Sequence, residues 1–301
     1  MTSVARLVLG CGSFGGVGSD LSLVGAGDSQ DDAFALMDAA WERGIRAFDT
    51  ASSYGGGESE RIIGRWIASR RPDGLALTSK IFHPIDPDDD SGLAPARVHR
   101  VLRETLERLG VERLDLLLTH EADPATPIAE TLGTFDELVA EGLVAEYGLS
   151  NVDGSLLAAA NAVGTIAVVQ NEYSLLARAA ERDVLPLCAE HGIRFQAFSP
   201  LAGGWLTGKY RRGERFPAGS RMTLRPDPYE AFRNDDVYDA IDGLAERGDP
   251  ATLALAWLFA NPQVDAVVVG PRTPAQLEPV FAALQLDVDR HELTELFAWS
   301  S

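Results

Sequence analysis

Eight short apolar runs recur along the chain, and amphipathic segments separate them. A short, nearly continuous apolar run is typical of a strand that is buried on both faces of a sheet. The predicted strands cover residues 7–11, 46–49, 75–80, 114–118, 145–149, 167–170, 194–198 and 265–269. Strands of this kind that alternate with helices predict a parallel sheet covered by helices.

The segments between the runs carry apolar residues at helical spacing. In Pro95–Leu109, Val98, Leu102 and Leu106 recur on one face, while Arg and Glu fill the other. Residues 252–260 are apolar nearly all round, which predicts a deeply buried helix. The other predicted helices cover residues 30–43, 59–69, 127–141, 154–162, 181–190, 236–247 and 274–284.

Eight strand–helix repeats in 301 residues predict a single-domain α/β fold, the (β/α)₈ or TIM barrel. No linker rich in Pro, Ser or Gly divides the chain, so the predicted domain spans residues 1–301. An open, doubly wound parallel sheet is the competing architecture, because periodicity does not distinguish it from a closed barrel.

A glycine-rich sequence after the first predicted strand bears on this choice. Residues 10–15, GCGSFG, match G-x-G-x-x-G, the dinucleotide-binding fingerprint of an open sheet. That fingerprint requires a helix to begin at the motif, so that the pyrophosphate meets the helix N-terminus. The next helical pattern begins only near residue 30. The match is therefore interpreted as a turn after the first barrel strand.

Two long irregular segments are predicted. Residues 199–234 are rich in Gly, and a loop of this length inside a compact domain is usually functional. Residues 83–93, HPIDPDDDSGL, hold four Asp and are interpreted as a solvated turn. A metal-binding loop is the weaker alternative there, because the alternating ligands that end in Glu are absent. No metal site is predicted.

The charge balance limits the partners of the protein. The chain has 45 acidic and 26 basic residues, a formal net charge of −19. Such an acidic surface disfavours general binding to nucleic acid or to anionic membranes. Cys11 and Cys188 are interpreted as buried thiols in a reducing compartment. No signal peptide and no membrane-spanning apolar stretch are recognised, so we expect a cytoplasmic protein.

Four polar side chains stand at or just beyond the C-terminal ends of consecutive predicted strands: Asp49, Tyr54, Lys80 and His120. Parallel barrel strands bring such positions together at one face, where the active sites of these barrels lie. A Lys that closes an apolar strand needs a partner when it is buried, and Asp49 can supply one. Only two of the 26 basic residues are Lys, and Lys80 is one of them.

This set of side chains is suited to proton donation. A free phenol has a pKa of about 10, and a nearby ammonium favours the phenolate and lowers that pKa. Tyr54 is therefore predicted to be a general acid whose pKa Lys80 lowers, with Asp49 holding Lys80 in place. His120 would orient a substrate oxygen beside Tyr54. Because none of these side chains can carry a hydride, the scheme requires a redox cofactor.

Motifs around these residues resemble those of the aldo-keto reductase family. They are FDTASSYG at 48–55, LTSK at 77–80, LDLLLTH at 114–120 and GLSN at 148–151. Residues 198–210, FSPLAGGWLTGKY, are similar to the branch that contains aflatoxin-aldehyde reductases and potassium-channel β subunits. The resemblance implies a (β/α)₈ barrel with Tyr54 as general acid. It also implies reduction of a small aldehyde or ketone to an alcohol with NADPH, or alternatively NADH.

The resemblance also assigns the cofactor site. Ser150, Asn151 and Gln170 are expected around the nicotinamide carboxamide, and the Tyr173 ring is expected to stack on the nicotinamide. Arg272 is expected at the 2′-phosphate of NADP, a task that suits a planar guanidinium, with a plain surface charge as the alternative. The remaining cofactor-binding predictions lie in the first loop, the covering loop 199–234 and the adenosine end: Ser13, Ser199, Leu201, Gly203, Lys209, Gly270 and Gln276.

One position pair departs from the family pattern. Pro279 and Val280 stand where the family commonly has an acidic or amide residue and then Asn. Two expected adenine contacts are therefore missing, which weakens the preference for NADPH over NADH. The predicted apolar wall of the substrate pocket consists of Phe14, Phe82 and Trp205.

Two other functions stay open at this point. The likeness to potassium-channel β subunits allows a cofactor-sensing regulatory or partner-binding subunit with slow turnover. The same fold also allows a reductase of a keto-sugar or enone biosynthetic intermediate. The sequence carries no signal for an oligomeric state.

Overall fold

The eight apolar runs form a closed parallel barrel in the computed structural model, which describes residues 3–298. The last strand pairs with the first, with Leu7 opposite Val267, so the barrel is confirmed and the open sheet is excluded. The remainder of the predicted domain, residues 1–2 and 299–301, lies outside the described residues. The strands are β1 (Leu7–Gly10), β2 (Ala47–Asp49), β3 (Ala76–Ile81), β4 (Leu114–Thr119), β5 (Val144–Ser150), β6 (Val168–Glu172), β7 (Arg194–Phe198) and β8 (Ala266–Val269).

The helices lie between and after the strands. They are α1 (Gln30–Glu42), α2 (Glu58–Arg70), α3 (Pro95–Leu109), α4 (Ile128–Ala140), α5 (Gly154–Asn161), α6 (Val184–His191), α7 (Arg221–Leu224), α8 (Asp235–Ala245), α9 (Pro250–Phe259), α10 (Glu278–Ala283) and α11 (Arg290–Glu295). Helix α3 keeps both predicted ends, because Pro95 suits a first turn and Gly110 adopts a left-handed φ of 67° just past the last turn. The sequence did not predict α7 and α11.

Alternation along the strands decides which side chains face the barrel interior. Two small apolar clusters consist of strand residues. The first holds Val8, Ala266 and Val268, and the second holds Leu116, Leu118 and Val168. Their sequence neighbours instead join the large cluster that includes the helices. Interior positions of β6 therefore share the parity of Val168, which places Gln170 and Glu172 inward and Tyr173 outward. Phe198, at the end of β7, packs against the first interior cluster.

The glycine-rich sequence after β1 is a turn, as predicted. Helix α1 begins only at Gln30, so no helix follows directly from residues 10–15 as the fingerprint requires. Gly12 instead lies against the Tyr54 ring, where an added Cβ would come within 3.4 Å of the ring edge. The turn therefore helps to shape the barrel mouth.

The long segment 199–234 has more structure than the sequence indicates. It contains two 3₁₀ helices, Ala202–Thr207 and Asp227–Phe232, with α7 between them. Trp205 is the centre of an aromatic cluster whose members are Tyr210, Phe216, Phe232 and Tyr238. The segment therefore has its own small core.

The acidic turn at 83–93 is held by arginines. The Asp89 carboxylate accepts hydrogen bonds from Arg97 at 2.9 Å and from Arg100 at 2.5 Å. Within residues 3–298, no group of three or more His, Cys, Asp or Glu side chains is arranged to hold a metal ion. In the same described part of the chain, no helix is long and apolar enough to cross a membrane.

Candidate active site

Lys80 and Asp49 form a buried ion pair at the barrel mouth. Lys80 is 2% exposed, and its Nζ donates to Asp49 Oδ1 and, at 2.9 Å, to the Thr50 carbonyl oxygen. The second Asp49 oxygen accepts from Gln170 Nε2 at 2.9 Å. Burial alone would lower the pKa of Lys80, but the Asp49 charge and Tyr54 raise that pKa above its ordinary value. The ammonium is therefore charged at neutral pH.

The Tyr54 hydroxyl lies on the other side of this ammonium. Lys80 Nζ is 3.4 Å from Tyr54 Oη, so a proton on Tyr54 is next to a fixed positive charge. Burial raises the pKa of Tyr54, and the Lys80 charge opposes this rise without cancelling it. Lys80 thus acts on this pKa in the predicted direction, but in the protein alone desolvation of the phenolate outweighs its effect. Tyr54 thus keeps its proton at neutral pH.

His120 completes the group that the sequence places together. Its ring meets the Tyr54 ring edge-on, with centroids 5.4 Å apart, and it contacts the His83 ring with centroids at 4.8 Å. Burial, together with the charges of Lys80, His83 and Arg225, holds the pKa of His120 well below its usual range. The imidazole is therefore neutral. Its Nδ1 is buried and has no hydrogen-bond partner within residues 3–298.

His83 is a site residue that the sequence analysis missed. It lies beside Phe82, whose ring it meets edge-on at 5.2 Å, and its Nε2 is 3.7 Å from Glu121. The available signal was its position, three residues after Lys80 in the loop that leaves β3. Phe82 is half-buried at the same edge of the mouth, as its predicted place in the pocket wall requires.

The two other predicted wall residues are fully buried. Phe14 and Trp205 are both 0% exposed. Phe14 packs in the main core, and Trp205 is enclosed by the aromatic cluster of segment 199–234. Both rings are therefore packed inside the protein alone, and their place in the pocket wall stays a prediction.

The predicted nicotinamide residues line the mouth beside the ion pair. Ser150 and Gln170 are each 1% exposed, and both lie on inward positions of β5 and β6. Asn151 has a left-handed φ of 56°, and its side-chain amide donates to the His120 carbonyl oxygen at 2.9 Å. Ser13 is buried, and its hydroxyl lacks a hydrogen-bond partner in the described part of the chain. An unpaired buried hydroxyl is costly, so it points to a polar ligand.

Tyr173 is not placed for stacking on a cofactor. It is 0% exposed, and its ring packs against Phe195 and Trp257 on the outer side of the barrel. Its hydroxyl donates to Glu181 at 2.6 Å. The prediction for Tyr173 is wrong, because alternation turns this residue away from the interior. The aromatic ring with interior parity is Phe198, which is half-buried.

The covering segment contributes strained backbone and cations. Ser199 has a left-handed φ of 54°, and Leu201 follows it in a half-buried position. Gly203 has φ 63°, and an added Cβ would lie 2.6 Å from the Tyr229 ring, so only glycine fits there. Burial, with help from the neighbouring charges of Arg221 and Arg272, lowers the pKa of Lys209. The segment therefore brings cations together near the predicted pyrophosphate position.

At the predicted adenosine end of the cofactor site, Arg272 forms hydrogen bonds with other groups of the protein. Arg272 Nε donates to Asp28 Oδ1 at 2.7 Å, and Arg272 Nη1 donates to the Gly219 carbonyl oxygen at 3.0 Å. Gln276 Oε1 accepts from the Arg272 backbone N–H at 2.7 Å. Gly270 is exposed, and a Cβ there would meet only the Gly10 carbonyl oxygen, at 4.0 Å. Two departures from the family pattern have structural roles, since Pro279 lies in the first turn of α10 and Val280 is buried beneath it.

The protein is thus an eight-stranded barrel with a buried Lys–Asp pair, a phenol and a neutral imidazole at its mouth. The chain matches the Aldo/keto reductase family over residues 6–298. YrpG, an uncharacterized oxidoreductase of Bacillus subtilis (strain 168), is 36% identical over 312 aligned positions, covering 97% of this chain and 91% of the relative. A probable voltage-gated potassium channel subunit beta of Arabidopsis thaliana is 32% identical over 273 positions, covering 85% and 82%.

Among solved structures, the glycerol dehydrogenase AKR11B4 from Gluconobacter oxydans aligns with a TM-score of 0.80 and 26% identity. The alignment covers 98% of this chain and 90% of that one. The chain belongs to the aldo/keto reductase family and is an oxidoreductase of that family. The family generally uses nicotinamide cofactors and acts on small carbonyl substrates.

Proposed function

We propose that the protein reduces an aldehyde or ketone to an alcohol, with Tyr54 as the proton donor. The observation that carries this proposal is the Lys80 ammonium, which lies between the Asp49 carboxylate and the Tyr54 hydroxyl, 3.4 Å from the latter. A bound nicotinamide cofactor would supply the hydride. The side chains of the mouth supply the proton and the stabilisation of charge.

The roles of the four side chains follow from their charge states. Tyr54 is protonated at neutral pH and donates its proton to the substrate oxygen as negative charge develops there. Lys80 stabilises the phenolate that this transfer leaves, and Asp49, fixed by Gln170, keeps the ammonium in position. The neutral His120 can donate a hydrogen bond to the same oxygen without adding a charge to the site.

The residues present fit a nicotinamide cofactor. The unpaired Ser13 hydroxyl offers a polar contact, and Lys209 with Arg221 offers positive charge for a pyrophosphate. The sequence argument for NADPH rests on Arg272, whose guanidinium is instead hydrogen-bonded to Asp28. The proposed activity therefore includes either reduced nicotinamide.

We expect Phe198→Ala to raise the dissociation constants of NADH and NADPH by about tenfold, because it removes the inward-facing ring at the end of β7, which would pack against the nicotinamide. Tyr173→Phe is the control: it should leave both constants within about twofold and lower the melting temperature, since the lost hydroxyl contacts Glu181, Asn261 and Arg290. Quenching of tryptophan fluorescence measures the binding. Unchanged affinity in Phe198→Ala would contradict the proposal that the Phe198 ring packs against the nicotinamide.

The proposed activity is tested directly with the purified protein. A panel of aldehydes, ketones and keto-sugars is offered with NADH or NADPH, and oxidation of the cofactor is followed by absorbance. We expect carbonyl-dependent oxidation with at least one aldehyde. Cofactor binding without turnover of any carbonyl would contradict the reductase proposal.

Cofactor binding without turnover would favour a second candidate function, a cofactor-sensing subunit. Similarity to the Arabidopsis potassium channel subunit supports this candidate. Such a protein would retain the four side chains Asp49, Tyr54, Lys80 and His120, bind the cofactor tightly and capture a partner protein. Capture of a partner whose affinity changes between oxidised and reduced cofactor would support it, and indifference to the redox state would exclude cofactor sensing.

A further inference from the structure

Arg272 is committed to contacts within the protein. Its Nε donates to Asp28 Oδ1 at 2.7 Å, and its Nη1 donates to the Gly219 carbonyl oxygen at 3.0 Å. The guanidinium therefore joins the loop after β1 to the segment that covers the mouth. Only part of it remains accessible, with 43% of the side chain exposed.

Asp28 is a largely buried partner for the arginine that is expected at the 2′-phosphate. It is only 6% exposed, and its Oδ2 is buried without a hydrogen-bond partner within residues 3–298. Its backbone N–H donates to the Ser13 carbonyl oxygen at 2.6 Å, and the Ser13 hydroxyl is also unpaired. Two adjacent buried groups, Asp28 Oδ2 and the Ser13 hydroxyl, thus have free hydrogen-bonding capacity beside Arg272.

The charges at this end distinguish the two nicotinamide cofactors. A phosphate monoester carries a charge of roughly −1.5 to −2 at neutral pH. Asp28 neutralises the nearest guanidinium and would repel such a group, and its burial makes that repulsion stronger than it would be in water. A ribose 2′-hydroxyl is uncharged and can donate a hydrogen bond to a carboxylate oxygen such as Asp28 Oδ2.

We propose that Asp28 determines cofactor specificity: by holding Arg272 and presenting a buried carboxylate, it directs the site toward NADH and against NADPH. This inference rests on the proposed function, because it concerns the cofactor of the same site. It departs from the sequence-based expectation that Arg272 selects the 2′-phosphate. Arg272 becomes a phosphate ligand only when the carboxylate beside it loses its charge.

The test is the ratio of the NADPH and NADH dissociation constants, measured by quenching of tryptophan fluorescence. The wild-type protein is expected to bind NADH at least as tightly as NADPH. Asp28→Asn keeps the shape and an acceptor oxygen for Arg272, and it should shift the ratio at least tenfold toward NADPH. Asp31→Asn is the matched control, since it removes the same charge from an exposed position in the first turn of α1 and should shift the ratio less than twofold.

Asp28→Ser provides a second variant if the amide disturbs folding, and it should shift the ratio in the same direction. Adding Arg272→Gln to Asp28→Asn should reverse the gain, because the freed guanidinium is its source. An unchanged ratio in both Asp28 variants, or a wild-type preference for NADPH of tenfold or more, overturns the inference. Binding of neither cofactor to the wild type would instead overturn the proposed function, and the inference would fall with it.

Discussion

Tyr54→Phe is expected to lower kcat for carbonyl reduction by 10²–10⁴-fold, the range typical of a lost general acid. The change removes the hydroxyl 3.4 Å from Lys80 Nζ and leaves the ring that packs against His120. Cofactor dissociation constants should stay within about twofold, because binding does not use the transferred proton. Single-turnover kinetics with saturating cofactor separate the chemical step from binding.

Tyr238→Phe is the matched control for this variant. Tyr238 belongs to the aromatic cluster around Trp205, away from the mouth, and its ring contacts there remain in phenylalanine. Its turnover should equal that of the wild type within experimental error. Carbonyl reduction at the wild-type rate in Tyr54→Phe would show that another group, or water, donates the proton.

The pH dependence of the wild type follows from the same charge states. A general acid works only in its protonated form, and burial raises the pKa of Tyr54. Its contribution should therefore persist through neutral pH and be lost only as the pH rises through that raised pKa. His120, whose pKa lies well below its usual range, adds no ionisation near pH 7.

Asp49, Tyr54, Lys80 and His120 could be predicted because each stands at or just beyond the end of an apolar run. Asp49 and Lys80 end apolar runs, and a polar residue that closes a buried strand of a parallel barrel belongs to one face of the fold. The expectation for Tyr173 comes instead from the family resemblance, and the sixth strand runs to Glu172, two residues beyond its predicted end. Two further residues of regular strand extend the alternation and turn Tyr173 outward.

Contacts between distant segments carry no such signal. Asp28 and Arg272 are 244 positions apart, and their hydrogen bond follows only from closure of β8 onto β1. Trp205 is enclosed by rings from Tyr210 to Tyr238, which depends on how segment 199–234 folds onto itself and against α8. Periodicity reports the side on which a strand or helix is buried, and it does not report which loops meet.

The two lysines of the chain have different environments. Lys80 is buried between a carboxylate and a phenol, where a compact ammonium fits and a forked guanidinium would not. Lys209 is partly exposed and partly buried in the covering segment, near Arg221 and Arg272, where its positive charge is what matters. Elsewhere the chain uses Arg, which serves equally well for solvated charge. The roles of Lys80 and Lys209 can therefore be distinguished by substituting each lysine.

Lys80→Met is expected to lower kcat by at least 10²-fold at neutral pH, because the phenolate that forms at Tyr54 loses its neighbouring positive charge. The same change leaves Asp49 buried without its ammonium, which should cost about 3–5 kcal/mol in the free energy of unfolding. Lys209→Met is the control: it should raise the cofactor dissociation constants and leave the stability nearly unchanged. Urea denaturation and steady-state kinetics measure the two effects.

The double variant Asp49→Asn/Lys80→Met separates stability from catalysis. The asparagine side chain can still pair with Gln170, so most of the lost stability should return when the uncompensated charge is removed. Turnover should not return, because the ammonium next to Tyr54 is still absent. An unchanged pH–rate profile in either variant would contradict the tuning role of Lys80. Recovery of turnover together with stability would mean that Lys80 serves the fold and leaves the chemistry to Tyr54 and His120 alone.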